Sequence, residues 1–180
     1  RPVTRSRLCD LLWDGPNDPR GELRWCLSRL RSVLDDPDVA RVEAQHDVVS
    51  VRLDSCFVDI FEVAAATARG IDALSVEQLR SLADLFAGDF MEGLDLDRSP
   101  EFDTWLVTQR RRFRAAHAVV LEHLVNALAA DADDLVMQLE KWVELTPFDE
   151  RAHSALLAAL AASGRVDEGE EHLASACRLL

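Results

Sequence analysis

The amino-acid sequence predicts a mainly α-helical chain in two parts, with one short β-hairpin between them. Three observations carry that expectation. From about residue 4 to residue 35, apolar residues recur at the three- and four-residue spacing of amphipathic helices. Across residues 40–53 the spacing shortens to strict alternation, the period of a strand. After residue 58 the helical spacing returns and persists to the end. Apolar side chains make up 48% of the 180 residues and are spread throughout, so the chain can bury one large core or two small ones.

The first element is "VTRSRLCDLLW" at 3–13, where Leu8, Leu11 and Leu12 follow Thr4, a good N-cap. The turn cluster "DGPNDP" at 14–19 ends it. A second helix begins near Pro19, a residue suited to a first helical turn, and runs to "DDPD" at 35–38. Leu23, Leu27, Leu30 and Leu34 form its expected core stripe, flanked by Cys26 and Val33. "ARVEAQHDVVSVRL" at 40–53 then reads as a hairpin with His46 and Asp47 at its tip. Further helices are expected at about 59–69, 75–86, 100–130, 134–146, 149–163 and 166–179, with "AGDFMEGLDLDRSP" at 87–100 the one long irregular connection. The last three helices break at "TPFDE" and "SGRVDE", with Gly164 a C-cap, a pattern similar to a tetratricopeptide unit.

Charge divides the chain. Residues 1–53 carry nine arginines and nine carboxylates and are neutral overall. Residues 54–180 carry eleven basic and twenty-four acidic side chains, which accounts for the whole net charge of −13. Phosphate backbones repel such an acidic surface, so nucleic acid, if bound, is the business of the first 53 residues.

Several function classes find no support. No apolar run approaches the roughly 20 residues of a membrane span, and "RPVTRSRLCDLLW" lacks the apolar core of a signal peptide, which leaves the cytoplasm as the expected location. Cys9, Cys26, Cys56 and Cys177 are far apart, so neither a zinc site nor a disulfide framework is expected. His117 and His123 do not share a helical face, and the acidic turn at Asp131, Asp133 and Asp134 lacks the glycine and closing glutamate of a calcium loop. No nucleophile-elbow, phosphate-loop, zinc-protease or dinucleotide motif occurs, so no catalytic residue, metal or cofactor is assigned.

Helix, turn, longer helix and hairpin is the ending of a winged helix-turn-helix, whose second helix lies in the major groove. Opposite the leucine stripe of helix 19–35 lie Gly21, Arg24, Trp25, Ser28 and Ser32, with Arg20 and Arg31 toward one flank and Arg29 toward the other. A planar guanidinium donates two bonds at once to guanine edges or phosphates. The face that a DNA reader needs is therefore present, although it is only moderately basic, and His46 at the hairpin tip is a candidate for a phosphate contact. A solvated arginine face is the plainer reading of periodicity alone. "QRRRFR" at 109–114 is the densest basic cluster, but it falls inside a helix, where ion pairing or docking of another protein explains it better.

These elements also carry a resemblance. "LLWDGPNDPRGELRWCLSRLRSVL" is similar to the helix-turn-helix of SARP-type transcriptional regulators, which join an OmpR-like winged helix to a bacterial transcriptional activator domain. The matching features fall on Leu11-Leu12-Trp13, Arg20, Leu23-Arg24 and Leu27-Ser28-Arg29-Leu30-Arg31. Downstream, "SCFVDIFEV", "LFAGDFMEGLDLDRSPEFDTWLVTQRRRFR" and "ELTPFDERAHSALLAALAASGRVDEGEEHL" resemble, in order, the entry, middle and end of the activator domain. The hairpin has Val48-Val49 where the family has Gly-Tyr. The chain starts where the family's second helix would and stops short of its usual end, so it reads as a fragment.

The expected architecture is thus a partial winged helix-turn-helix with a β-hairpin wing at 1–54, followed by an acidic, tetratricopeptide-like helical domain at 55–180. The resemblance implies a DNA-binding transcriptional activator, with Arg24, Trp25, Ser28 and Arg29 the candidates for base edges and Arg20 and Arg31 for phosphates. It further implies two copies on direct-repeat DNA, held as a homodimer through the helical domain, which also contacts RNA polymerase or another protein. The competing expectation is a protein-interaction or signal-relay module of a larger protein, with no DNA binding of its own. Glu22, Trp25 and the neutrality of residues 1–53 favour that alternative.

Overall fold

A computed structural model describes residues 2–15, 18–54, 56–94, 99–129 and 134–179. The fold is mainly helical with a small antiparallel sheet. Among the described residues the order is β1 (Val3–Thr4), α1 (Arg5–Leu12), α2 (Pro19–Leu34), β2 (Val42–Gln45), β3 (Val48–Val51), α3 (Asp59–Arg69), a 3-10 turn at Ile71–Ala73, α4 (Val76–Ala83), α5 (Pro100–Ala127), α6 (Leu135–Leu145), α7 (Glu150–Ala162) and α8 (Val166–Leu179). Each of these helices falls within a few residues of its expected span.

Contacts group the chain into two compact units. The first comprises Arg1–Val58 together with Met91–Gln109. The second comprises Asp59–Phe90 together with Arg110–Leu180. Relative to the expected boundary at 54/55, the first unit takes in the stretch 91–109.

In the first unit, Cys9 of α1, Leu23 and Leu27 of α2, Val42 of β2 and Val49 of β3 form a small core. Burial pushes the Cys9 thiol pKa up, as expected of a thiol surrounded by apolar side chains. The sheet order is β1-β3-β2, with Val3 opposite Val49 and Ala44 opposite Val49 on the other side. β1 was not expected from sequence. Thr4 serves twice: it pairs with Val48, and its hydroxyl accepts a hydrogen bond from the Arg7 amide as the N-cap of α1. Phe102 and Leu106, in the first turns of α5, are buried. The Ser99 hydroxyl, also buried, donates to the Leu11 carbonyl at 2.6 Å and accepts from the Phe102 amide at 3.3 Å, joining the end of α1 to the start of α5.

One expectation for α2 fails. Leu30 and Leu34 are 45% and 37% exposed and Val33 is 79% exposed, so only Leu23 and Leu27 of the stripe are buried. The physical reason is the kind of contact made at each end of the helix. The C-terminal half of α2 meets the entry of β2 through the polar bonds of Arg31 and Asp35 to Arg41 and Val42, and the core cluster takes only Leu23 and Leu27 from the stripe.

The second unit has the larger core. Val120, Leu121 and Leu124 of α5 have no solvent exposure and pack with Leu79 and Leu82 of α4, Leu139 and Trp142 of α6, and Leu156 and Leu160 of α7. α6 packs on α7 and α7 on α8, the stacking of a helical repeat. The connections follow the expected turn chemistry: Asp149 caps α7, and Gly164 takes a φ of 74° after it. The Arg80 guanidinium donates to both oxygens of Asp134, at 2.8 and 2.9 Å, tying α4 to the start of α6. This pairing holds the Asp134 carboxyl below the ordinary carboxylate range. Asp131 and Asp133 lie outside the described residues, as does Ala130 at the expected end of the long helix.

Candidate nucleic-acid interface

The candidate interface is the outward side of α2, and local chemistry explains its position. The Asp18 carboxylate caps the helix by accepting from the Gly21 amide at 2.8 Å, with Pro19 in the first turn. At the other end Asp35 accepts from the amides of Arg41 and Val42, at 2.8 and 2.9 Å. The Arg31 Nε donates to the Val42 carbonyl at 3.2 Å. These bonds fix the exit of α2 against the entry of β2. The hairpin is anchored at its far end too. His46 turns the chain with a φ of 53°, and the Arg5 amide and Nε donate to the carbonyls of Asp47 and His46, at 2.7 and 3.1 Å. A left-handed φ is one that histidine adopts more readily than β-branched residues.

With its inner face held by Leu23 and Leu27, α2 turns Arg20, Arg24, Trp25, Ser28 and Arg29 outward, all exposed. Trp25 is 63% exposed, far more than a core tryptophan. Arg20 and Arg29 form no ion pair among the described residues. Arg24 reaches back over the first turn, its guanidinium 3.7 Å from the Asp18 carboxylate. Arg31 is half-buried, with one donor committed to the hairpin, so it braces the helix against β2. His46 is exposed at the tip, away from the α2 face in sequence and joined to α1 through Arg5. The structure therefore gathers Arg20, Arg24, Trp25, Ser28 and Arg29 on one helix surface, commits one donor of Arg31 to the hairpin and leaves His46 exposed at the hairpin tip.

Two contributors were not singled out from sequence. Arg5 holds the hairpin tip, and Asp18 both caps α2 and faces Arg24. Asp18 did carry a signal, because an aspartate immediately before proline at a helix start is a capping pattern. Arg5 carried none, since its partners are backbone carbonyls some forty residues on.

The basic cluster at 109–114 resolves into two roles. Arg110 Nε donates to the Phe90 carbonyl at 3.0 Å, and Arg114 pairs with Asp89 through two hydrogen bonds. Phe113 stacks on Phe90 with ring centroids 4.9 Å apart. These residues fasten the 89–90 segment to α5. Arg111 and Arg112 are exposed. The histidines of the second unit are structural: His117 stacks flat on Phe86 at 4.2 Å, and His123 sits 3.4 Å from Asp72. His153 donates from Nε2 to the Pro147 carbonyl and contacts His172 at 3.0 Å, tying α8 to the turn before α7. No helix among the described residues is long and apolar enough to cross a membrane.

No curated protein matches the sequence. Residues 57–180 match the family model described as bacterial transcriptional activator domain, a span covering well over half of the chain. The chain belongs to the bacterial transcriptional activator domain family.

Proposed function

We propose that this protein is a DNA-binding transcriptional regulator in which α2 is the recognition helix of a winged helix-turn-helix. The observation that carries the reading is the two-sided character of α2: Leu23 and Leu27 are buried, while Arg20, Arg24, Trp25, Ser28 and Arg29 face solvent. A helix-turn-helix followed by a hairpin, in a sheet ordered β1-β3-β2, supports it. In this reading Arg24, Trp25, Ser28 and Arg29 meet base edges. Arg20 and the remaining donors of Arg31 meet phosphates, and His46 approaches the backbone. The acidic helical unit takes protein partners, RNA polymerase or a second copy, through its stacked helices. No reaction, cofactor or metal belongs to this function, and the site of action is the cytoplasm.

A specific observation favours a second reading, a relay module without DNA binding. Leu30, Val33 and Leu34 are exposed on the same helix as Trp25, a composition suited to a protein partner. A gel-shift titration of the intact protein separates the two. A DNA reader binds one fragment from its own upstream region far more tightly than random DNA, and Arg24→Ala removes about 1–3 kcal/mol of that preference. Uniform weak binding, insensitive to Arg24→Ala, supports the relay module.

A further inference from the structure

We infer that Asp18 is a specificity-determining positioning residue: it aims Arg24 at the DNA while capping the helix that carries it. The inference rests on the proposed DNA-reading role of α2 and adds a residue to it.

Three observations converge on one side chain. Asp18 Oδ1 accepts from the Gly21 amide at 2.8 Å, which folds the carboxylate over the first turn of α2. Its other oxygen, Oδ2, lies 3.7 Å from the Arg24 guanidinium. The third is the space that this arrangement needs. A Cβ added at Gly21 would lie 2.2 Å from Asp18 Oδ2 and 2.8 Å from its Cγ, closer than any real contact. Glycine is a poorer helix former than alanine. At position 21 that disadvantage is offset by a carboxylate seated where a methyl group would stand.

The consequence is chemical. An exposed arginine samples many rotamers, and each must be given up when it binds a base. Asp18 draws Arg24 toward the N-terminal turn, the part of a recognition helix that meets base edges. The guanidinium has five N–H donors. One edge can face Asp18 while another stays available for a guanine. As an ion pair between two exposed groups, the contact adds little to folding stability. Its effect belongs to discrimination between sequences, because a pre-aimed arginine loses less freedom at the right base and still repays little at the wrong one. A carboxylate at the interface also repels phosphate, lowering affinity for DNA of any sequence.

The test uses the intact protein, a DNA site selected from a random library, and the same site altered at the base pair read by Arg24. Three variants are compared. Asp18→Asn retains an oxygen for the cap but loses the charge. Gly21→Ala keeps every charge and displaces the carboxylate. Arg24→Ala removes the reader. Wild type should prefer the selected base pair on the order of tenfold to a hundredfold. Asp18→Asn and Gly21→Ala should each lower that preference by about two- to fivefold, the range open to an exposed ion pair, with melting temperatures near wild type. Asp18→Asn alone should bind random DNA more tightly. In a double-mutant cycle, the loss of discrimination from Arg24→Ala should be smaller by that same two- to fivefold once Asp18 is Asn.

Undiminished preference in Gly21→Ala and Asp18→Asn, alongside its loss in Arg24→Ala, would overturn the role of Asp18 and leave the DNA-reading function standing. Additive losses for Asp18→Asn and Arg24→Ala would overturn it as well. Failure of the intact protein to enrich any site removes both proposals together, and is recognised by the absence of a selected sequence.

Discussion

The two compact units solve the problem of burial differently. In the second, the middle of α5 is sealed: Val120, Leu121 and Leu124 have no exposure, and α4, α6 and α7 close around them. In the first, five buried side chains hold two helices to a sheet of very short strands, and most other positions of α2 face solvent. The large core favours stability. The small core favours presentation: it buries just enough to set α2 at a fixed angle while its outward side stays available. Polar ties supplement it, with Asp35, Arg31 and Ser99 each bonding to backbone of a neighbouring element.

The largest expected effect tests the second core. Leu124→Ala should lower stability by about 3–5 kcal/mol, the range for a leucine emptied into a sealed site, read as a shift in the denaturation midpoint by circular dichroism. A shift below about 1 kcal/mol would mean that α5 is not the centre of this core. Leu27→Ala should cost about 2–4 kcal/mol, since a small core beside solvent collapses more easily around the gap. Its distinguishing sign is loss of sequence-selective DNA binding while most helical signal is retained.

The contrast also explains what was legible in sequence. Helix positions could be read from their periodicity, and several have a chemical start as well: Thr4, Asp149 and the Ser75–Gln78 capping box lie at the observed ends. The hairpin was legible from its alternation and from His46-Asp47 at its tip. β1 was not, because a two-residue strand has no period; it exists only through pairing with β3. Leu30 and Leu34 were misread for a related reason. Periodicity tells which side of a helix is apolar, but not how far the covering layer extends. The place of residues 91–109 in the first unit was hidden too: the partner of the Ser99 hydroxyl, the Leu11 carbonyl, lies 88 residues earlier. Within the candidate site, the exposed positions of α2 followed from the helical wheel. The commitment of Arg31 to the Val42 carbonyl and the Asp18–Arg24 pair did not, because side-chain direction depends on atoms the wheel does not contain.

Acid sensitivity sharpens the comparison further. Burial, and secondarily the charge of Lys141, lowers the His117 pKa to about 4 from its ordinary 6.5. The folded state thus holds this ring neutral where the unfolded chain protonates it. The contribution is fully present above pH 6.5 and is lost progressively as pH falls from 6.5 toward 4. Burial also lowers His172, helped by neighbouring His153, and acts in the same direction. Replacing His117 with Leu should flatten the stability profile across that window by about 1 kcal/mol, allowing for solvent screening of a half-buried ring. An unchanged slope in urea titrations between pH 6.5 and 4 would contradict this. The smallest effect is expected at Arg112, exposed on α5, where Arg112→Ala should change stability by less than about 0.5 kcal/mol. A larger loss in the same assay would place Arg112 in a structural network.

The central claim is that the outward side of α2 enters a DNA groove. A photo-crosslinking side chain in place of Ser28 tests it most directly, with the same group in place of Glu140 on α6 as the control. Irradiation with a selected DNA site should crosslink position 28 to bases within that site, competed away by unlabelled specific DNA, and give no such product from position 140. Crosslinks from position 28 that appear only with a protein partner, or equally with DNA of any sequence, would contradict it.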